Sequence, residues 1–102
     1  MKKNAFFLSE NTLVSLLKAN NKGAFEYLYD HYSASLFGII CKIVKDKEKA
    51  NDVMQEAFLK IWRNIAAYEE SKATLFTWML NVTRYTAIDA LHANVKRTLS
   101  ND

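Results

Sequence analysis

The chain has 102 residues and a net charge of +3, with half of its residues hydrophobic and a quarter charged, which is ordinary for one soluble domain with its own core. No run of about 18 apolar residues exists, so the sequence predicts no membrane insertion. The apolar stretch near the start is too short for a secretory signal. Since the single Cys41 cannot form an internal disulfide, we expect a cytoplasmic protein.

Apolar residues recur every three or four positions through most of the chain, which is the period of an amphipathic helix. The sequence contains no proline and only two glycines, and it lacks the two-residue alternation of strands. We therefore predict an all-α fold, a compact four-helix domain. The domain is expected over residues 9–97, between an N-terminal tail at 1–8 and the start of a linker at 98–102, with helices over residues 9–19, 24–44, 47–68 and 73–97.

Polar residues mark the expected helix boundaries. Ser9 and Asp46 are predicted N-caps, and Asn20–Gly23 is predicted as a turn, because Asn and Gly adopt left-handed conformations at little cost. Gly38 lies inside the second helix, where we expect another helix to pack closely. The predicted core positions of the four helices are Leu13, Leu16, Leu17, Phe25, Leu28, Tyr29, Tyr32, Leu36, Ile39, Ile40, Ile43, Ala50, Val53, Met54, Ala57, Phe58, Ile61, Ile65, Phe76, Met79, Leu80, Thr83, Ala87, Ala90 and Leu91.

The third helix carries one leucine within an otherwise polar face. Opposite its core stripe, the helical wheel places Asp52, Gln55, Glu56, Leu59 and Arg63. A single exposed leucine is common on protein surfaces. A leucine surrounded by polar groups also resembles the apolar centre and polar rim of a protein interface, so the residues alone leave both interpretations open.

The fourth helix has aromatic, amide and basic side chains on the side away from its core. Rings stack on unpaired bases, and Lys and Arg neutralise phosphates, so this composition favours a single-stranded nucleic acid. The alternative is that Trp78 and Tyr85 pack against the first or second helix. The residues on or beside this face, including those at the helix ends, are Lys72, Trp78, Asn81, Val82, Arg84, Tyr85, Asp89, His92, Lys96 and Arg97.

Three segments form ordered motifs: GAFEYLYDHY at 23–32, DVMQEAFLKIWR at 52–63 and WMLNVTRYTAID at 78–89. They resemble, in this order, region 2.1, region 2.2 and regions 2.3 to 2.4 of extracytoplasmic-function sigma factors, the small branch of the sigma-70 family. The resemblance covers about residues 10–97 and implies the fold of sigma region 2. Family members continue into region 4, which this chain lacks, so residues 98–102 are expected to begin a linker.

The resemblance also implies partners. The third helix would bind the clamp helices of the β′ subunit of core RNA polymerase, with contacts from Asp52, Gln55, Glu56, Leu59 and Arg63. The loop at about 67–72 and the fourth helix would bind the −10 promoter element as a melted single strand with a flipped base. The expected DNA contacts are Lys72, Asn81, Arg84, Tyr85, His92, Lys96 and Arg97. An anti-sigma factor is a further partner that the resemblance allows.

Two positions bear on these expectations. Tyr85 stands where the family usually has Asn, so a base contact of that Asn is not carried over. Trp78 matches a position that the family often buries, which weakens a stacking role for it.

The sequence gives no sign of catalysis. His31 and His92 lie on different helices without metal-binding spacing, and Cys41 has no neighbouring activator. No glycine-rich phosphate loop is present. We expect no enzyme activity, no metal and no cofactor. The alternative to a promoter-melting domain is a helical module that binds polymerase or an anti-sigma factor without recognising DNA.

Overall fold

A computed structural model describes residues 9–100 of the chain, with side chains described for residues 9–93. Over these residues the chain forms four α-helices and contains no strand, which confirms the predicted all-α, four-helix fold. None of the described helices is long and apolar enough to cross a bilayer. The helices are α1 (Glu10–Lys18), α2 (Lys22–Ile43), α3 (Lys47–Asn64) and α4 (Leu75–Ser100), and a 3-10 turn (Ile65–Ala67) follows α3.

Side-chain caps set the starts of α1 and α3, as predicted. Ser9 Oγ accepts a hydrogen bond from the Thr12 amide at 3.3 Å. The Asp46 carboxylate accepts from the amides of Glu48 and Lys49 at 2.9 and 3.2 Å. These bonds satisfy backbone donors that the first helical turn leaves without a partner.

The turn between α1 and α2 is shorter than predicted. Asn20 takes the left-handed conformation, with φ 62°. Asn21 caps α2, because its side-chain oxygen accepts from the Ala24 amide at 2.9 Å. Helix α2 therefore begins at Lys22, and Gly23 lies inside it rather than in the turn. A local side-chain hydrogen bond of Asn21 thus overrides the turn preference of Gly23.

The boundaries of the last two helices also differ from the prediction. Helix α3 ends at Asn64, whose side-chain amide donates to the Lys60 carbonyl at 2.8 Å, and the 3-10 turn then leads to Tyr68 in an extended conformation. Helix α4 continues through Ser100, beyond the predicted end at residue 97. The helix thus includes residues 98–100 of the expected linker, and residues 101–102 lie outside the described part of the chain.

The core lies where α2, α3 and α4 pack together, while α1 contacts α2 and the 3-10 turn. Most predicted core positions are buried or half-buried, but Tyr29 and Leu91 are 44% and 39% exposed. Leu91 lies at the edge of the apolar stripe of α4, where an ideal wheel separates core from surface poorly. Gly38 is exposed, and an added Cβ there would have no neighbour within 4 Å. The expected close helix contact at Gly38 was therefore wrong.

Candidate protein and nucleic-acid interfaces

The polar side of α3 is a surface in the folded chain. Its five predicted contact residues, Asp52, Gln55, Glu56, Leu59 and Arg63, are all exposed, and we name them the α3 face. The Leu59 side chain is 51% exposed, as the helical wheel predicted. Glu56 forms an ion pair with Lys60 at 3.6 Å, one turn further along α3. The α3 face thus has an apolar centre surrounded by polar groups, and its contact with a partner remains a prediction.

An aromatic cluster holds α3 against α2 behind this face. The Phe25 ring lies edge-on to Trp62, with 4.8 Å between ring centroids, and edge-on to Phe58 at 5.9 Å. The Tyr29 ring also contacts Phe58, with 4.8 Å between ring centroids. Edge-to-face ring pairs add stability beyond the area they bury. The α3 face therefore lies on a helix that is firmly packed against α2.

The outward side of α4 forms a second surface. Asn81, Arg84, Tyr85 and His92 are all exposed, and their spacing of three, four and seven residues places them on one side of the helix. We name these four residues the α4 stripe. Tyr85 is 68% exposed, so its ring is not packed against α1 or α2. The side chains of Lys96 and Arg97, which were also predicted to contact DNA, lie outside the described residues.

Trp78 and Val82 do not belong to this surface. Both are half-buried and pack against the core. The Trp78 ring lies 5.4 Å from the Tyr68 ring, measured between centroids. The interpretation of Trp78 as a packed residue was therefore correct, and Tyr68, the residue after the 3-10 turn, is one of its partners. Apart from the His92 imidazole, the exposed ring of the α4 stripe is that of Tyr85.

The loop between the 3-10 turn and α4 covers residues 68–74, and we name it the 68–74 loop. The Tyr68 hydroxyl donates to the Ala73 carbonyl at 2.7 Å, and the Lys72 amide donates to the Glu69 carbonyl at 3.1 Å. Tyr68 is only 1% exposed. Its burial first, and the Glu10 and Glu70 carboxylates next, raise its pKa above the ordinary 10.0. The phenol is thus neutral near pH 7 and can donate this bond.

Lys72, a predicted DNA contact, is exposed in the same loop. Its ammonium lies 3.4 Å from the Glu69 carboxylate, and both side chains are well exposed. An exposed pair of this kind is weak and exchanges with solvent. A phosphate would therefore compete with Glu69 for Lys72, which lowers the contribution that Lys72 can make to binding.

Helix α1 is tied to both ends of the 68–74 loop. The Lys18 ammonium donates to the Tyr68 carbonyl at 2.6 Å and lies 5.9 Å from the centroid of the Tyr68 ring. At the other end, the Glu10 carboxylate accepts from the Leu75 amide at 3.1 Å. The sequence does not predict these contacts, because nothing in a single sequence relates residues that are 50 and 65 positions apart.

Neither surface has the residues of a metal centre. Among the described residues, no group of three or more His, Cys, Asp or Glu side chains lies close enough to hold a metal ion. The two surfaces offer to solvent side-chain amides, carboxylates, two guanidinium groups and the rings of Tyr85 and His92.

Comparison with known proteins places this geometry in a family. Residues 28–97 match the model of sigma-70 region 2. The chain is 25% identical over 83 residues to the ECF RNA polymerase sigma factor SigK of Mycobacterium ulcerans (strain Agy99), covering 81% of this chain and 44% of that protein. It is 29% identical over 70 residues to SigK of Mycolicibacterium vanbaalenii, covering 69% of this chain and 36% of that protein. The chain thus spans less than half the length of these curated relatives.

A solved structure agrees with the sequence match. An engineered region 2 of sigmaE, determined by NMR in complex with GTAAAA, is 25% identical to this chain and superposes with a TM-score of 0.80. The similarity covers 95% of this chain and 97% of that structure. With a family match over most of its length and the corresponding fold, this chain belongs to the sigma-70 region 2 family.

Proposed function

We propose that this chain binds core RNA polymerase through the α3 face and captures the −10 promoter element as a melted single strand on the 68–74 loop and the α4 stripe. The observation that carries the proposal is the close match to a region 2 structure in complex with GTAAAA. The exposed amide, guanidinium and ring of the α4 stripe support it. Such a function would be exerted in the cytoplasm, and an anti-sigma factor is a further partner that it allows.

The charges near the α4 stripe favour a single strand over a duplex. Arg84 is the permanent cation of the stripe, and Lys72 is already paired with Glu69. Glu69 and Glu70 are exposed in the loop and repel phosphates. Few phosphates can therefore be neutralised, and the remaining affinity must come from unstacked bases, each contributing about 1–3 kcal/mol on an aromatic ring. A duplex keeps its bases stacked and cannot offer this contact.

Base capture must also offset the cost of melting. Flipping a base out of the stack costs a few kcal/mol. Tyr85 offers a ring for stacking, while Asn81 and Arg84 offer hydrogen bonds for base edges. In the assembled complex, the polymerase contact at the α3 face would hold the domain close to the promoter, so that weak base contacts suffice.

Polymerase binding would depend on Leu59. A leucine that is half exposed in the free chain gains most when a partner buries it, and the carboxylates, amide and guanidinium around it exclude water from the contact. The acidic members of the α3 face, Asp52 and Glu56, would steer it toward a basic partner surface. Because α3 is packed firmly on α2, little ordering cost accompanies binding.

A titration of labelled DNA tests the DNA-binding part of the proposal. A pool of single strands with a randomised hexamer is partitioned on the chain, and the most enriched strand is then compared with GTAAAA and with its own duplex. We expect a defined preferred hexamer, binding to the single strand well above the duplex, and a salt slope near ~2 for about three phosphate contacts.

Two results would overturn this part of the proposal. Binding without sequence preference, or with the duplex preferred, would reduce α4 to a basic helix that attracts phosphates. No binding to any strand, with polymerase binding intact, would favour the alternative of a protein-binding module.

A further inference from the structure

Helix α1 contributes no residue to the α3 face or to the α4 stripe, yet it is bonded to the two ends of the 68–74 loop. We propose that α1 is a brace that holds this loop in the shape that receives a DNA base, with Glu10 and Lys18 as its positioning residues. The inference rests on the proposed function, because it assigns the loop a role in binding the −10 strand. It adds two residues outside the α3 face and the α4 stripe to the machinery of DNA capture.

The two contacts of the brace are far apart on α1. Glu10 and Lys18 occupy its first and last positions, which at 1.5 Å per residue lie about 12 Å apart along the helix axis. Lys18 holds the Tyr68 carbonyl at one end of the loop, and Glu10 holds the Leu75 amide at the other. A rigid helix bonded at both points fixes the separation of the loop ends.

Each contact also satisfies a group that the loop would otherwise leave open. The Leu75 amide is a donor of the first turn of α4 and has no acceptor within that helix. Thr74 already accepts from the Thr77 amide, so Glu10 supplies a second acceptor there, with a charge that suits a helix N-terminus. The Tyr68 carbonyl, directly after the 3-10 turn, accepts a hydrogen bond from the Lys18 ammonium.

Tyr68 transmits this restraint into the loop. Its hydroxyl closes the loop on the Ala73 carbonyl, its ring packs on Trp78, and Lys18 lies over the ring. Glu69, Glu70 and Ser71 remain exposed at the loop tip. The loop therefore has a fixed base and an accessible tip, which is the arrangement that a base-capturing pocket requires.

The effect of the brace on DNA binding depends on the fraction of molecules whose loop has the shape that binds DNA. When only a fraction of molecules has the competent loop shape, the apparent dissociation constant rises by the inverse of that fraction. If loss of one brace contact leaves the loop competent about one fifth of the time, binding weakens about five-fold.

A direct electrostatic effect makes a different prediction. Lys18 and Glu10 carry opposite charges, so without a brace the loss of Lys18 would weaken DNA binding and the loss of Glu10 would strengthen it. A brace requires both losses to weaken binding. A lysine that contacts a phosphate would also lower the single-strand salt slope by about 0.7 when it is removed, whereas a brace residue leaves the slope unchanged.

The experiment uses the full chain and the most enriched labelled strand from the hexamer pool, with GTAAAA alongside. The variants are Lys18→Met and Glu10→Ala, with Lys18→Arg and Glu10→Gln as conservative versions that keep a donor and an acceptor. Exposed residues of α2 provide the matched controls, Lys42→Met and Glu26→Ala. For each protein we measure the dissociation constant, the salt slope, the helical circular dichroism and the hydrogen exchange of the Leu75 amide.

We expect both brace variants to be folded, to bind about five-fold more weakly with an unchanged salt slope, and to exchange the Leu75 amide faster. The conservative versions should recover most of the affinity, and the α2 controls should differ from wild type by less than two-fold. Tighter binding by Glu10→Ala, or unchanged binding by both brace variants, would overturn the brace while leaving the proposed function standing. Failure of the wild-type chain to bind any single strand would overturn both.

Discussion

The α3 face and the proposed DNA-binding site are built in different ways. The five residues of the α3 face lie on one side of a single helix, within a 12-residue segment. The buried residues on the opposite side of this helix are all apolar. The proposed DNA-binding site combines the α4 stripe with the 68–74 loop, which is held by the Tyr68 hydroxyl and by contacts with α1, 50 and 65 residues earlier in the chain.

This difference decides how each site responds to change. A surface on one regular helix keeps its geometry when a single exposed side chain is removed, so mutation there reports on the partner. A site assembled from distant parts loses geometry when a buried support is removed, so mutation there reports first on the fold. Mutations at the α3 face should therefore change binding without changing stability, whereas mutations that affect the loop should change both.

The largest expected effect is at Tyr68. Tyr68→Ala removes a buried ring, its hydroxyl bond to Ala73 and its packing on Trp78, so we expect the free energy of unfolding to fall by about 3 kcal/mol. Tyr85→Ala truncates an exposed ring of the same proposed DNA-binding site, and it should change the free energy of unfolding by less than about 0.5 kcal/mol. Urea denaturation measures both. A loss below about 1 kcal/mol for Tyr68→Ala would mean that the loop does not depend on this ring.

A smaller effect, on binding alone, is expected at the α3 face. Leu59→Ala or Gln55→Ala should weaken binding to core RNA polymerase by more than about 1 kcal/mol while stability stays near wild type. Leu91→Ala provides the control, because Leu91 is a partly exposed leucine on α4. Binding by pull-down or interferometry, read beside thermal melts, separates the outcomes. Equal losses of stability and polymerase binding for Leu59→Ala would place Leu59 in the core.

The buried side of α4 offers a gain of stability. Thr83 is fully buried, and among the described residues its hydroxyl oxygen is the buried side-chain polar atom without a hydrogen-bond partner. Thr83→Val removes that cost at nearly constant shape and should raise the free energy of unfolding by about 1 kcal/mol. Thr86→Val is the matched control, since the Thr86 hydroxyl donates to the Val82 carbonyl at 2.7 Å. A gain at Thr86 as large as at Thr83 would contradict this account.

The smallest expected effect concerns α2, which supports the α3 face. Gly38→Ala adds a methyl group in open space and should raise the free energy of unfolding by about 0.5–1 kcal/mol, because glycine loses more backbone entropy than alanine. Gly23→Ala is the control, since its Cβ would approach the capping oxygen of Asn21 at 3.2 Å. Chemical denaturation should rank Gly38→Ala above Gly23→Ala, and the reverse order would contradict the open environment of Gly38.

Local signals allowed much of the fold to be predicted from sequence. Residue type predicted the caps at Ser9 and Asp46, and helical periodicity predicted the outward direction of Leu59. Both signals depend only on neighbours within four residues. The early start of α2 was missed because the cap at Asn21 competes with the turn preference of Gly23. The end of α3 at Asn64 was missed because the apolar pattern continues through Ile65 to Tyr68, although the backbone leaves the α-helix there.

The support of the 68–74 loop could not be predicted in the same way. Lys18 and Glu10 look like ordinary charged residues at the ends of a short helix, and their partners are a carbonyl and an amide that no side-chain pattern marks. Trp78 and Val82 lie on the outward half of the wheel, yet they are half-buried because Tyr68 and the core cover that side of α4. Tertiary contacts of this kind become visible only in the folded chain.

The central claim is that the chain has two separable contact surfaces, and one set of four titrations tests it most directly. Leu59→Ala and Tyr85→Ala are each titrated against core RNA polymerase and against the most enriched labelled single strand. We predict that Leu59→Ala loses polymerase affinity and keeps DNA affinity, while Tyr85→Ala loses DNA affinity by about 1–3 kcal/mol and keeps polymerase affinity. If either variant weakened both contacts, or if Tyr85→Ala bound the strand as wild type does, the assignment of the two surfaces would be contradicted.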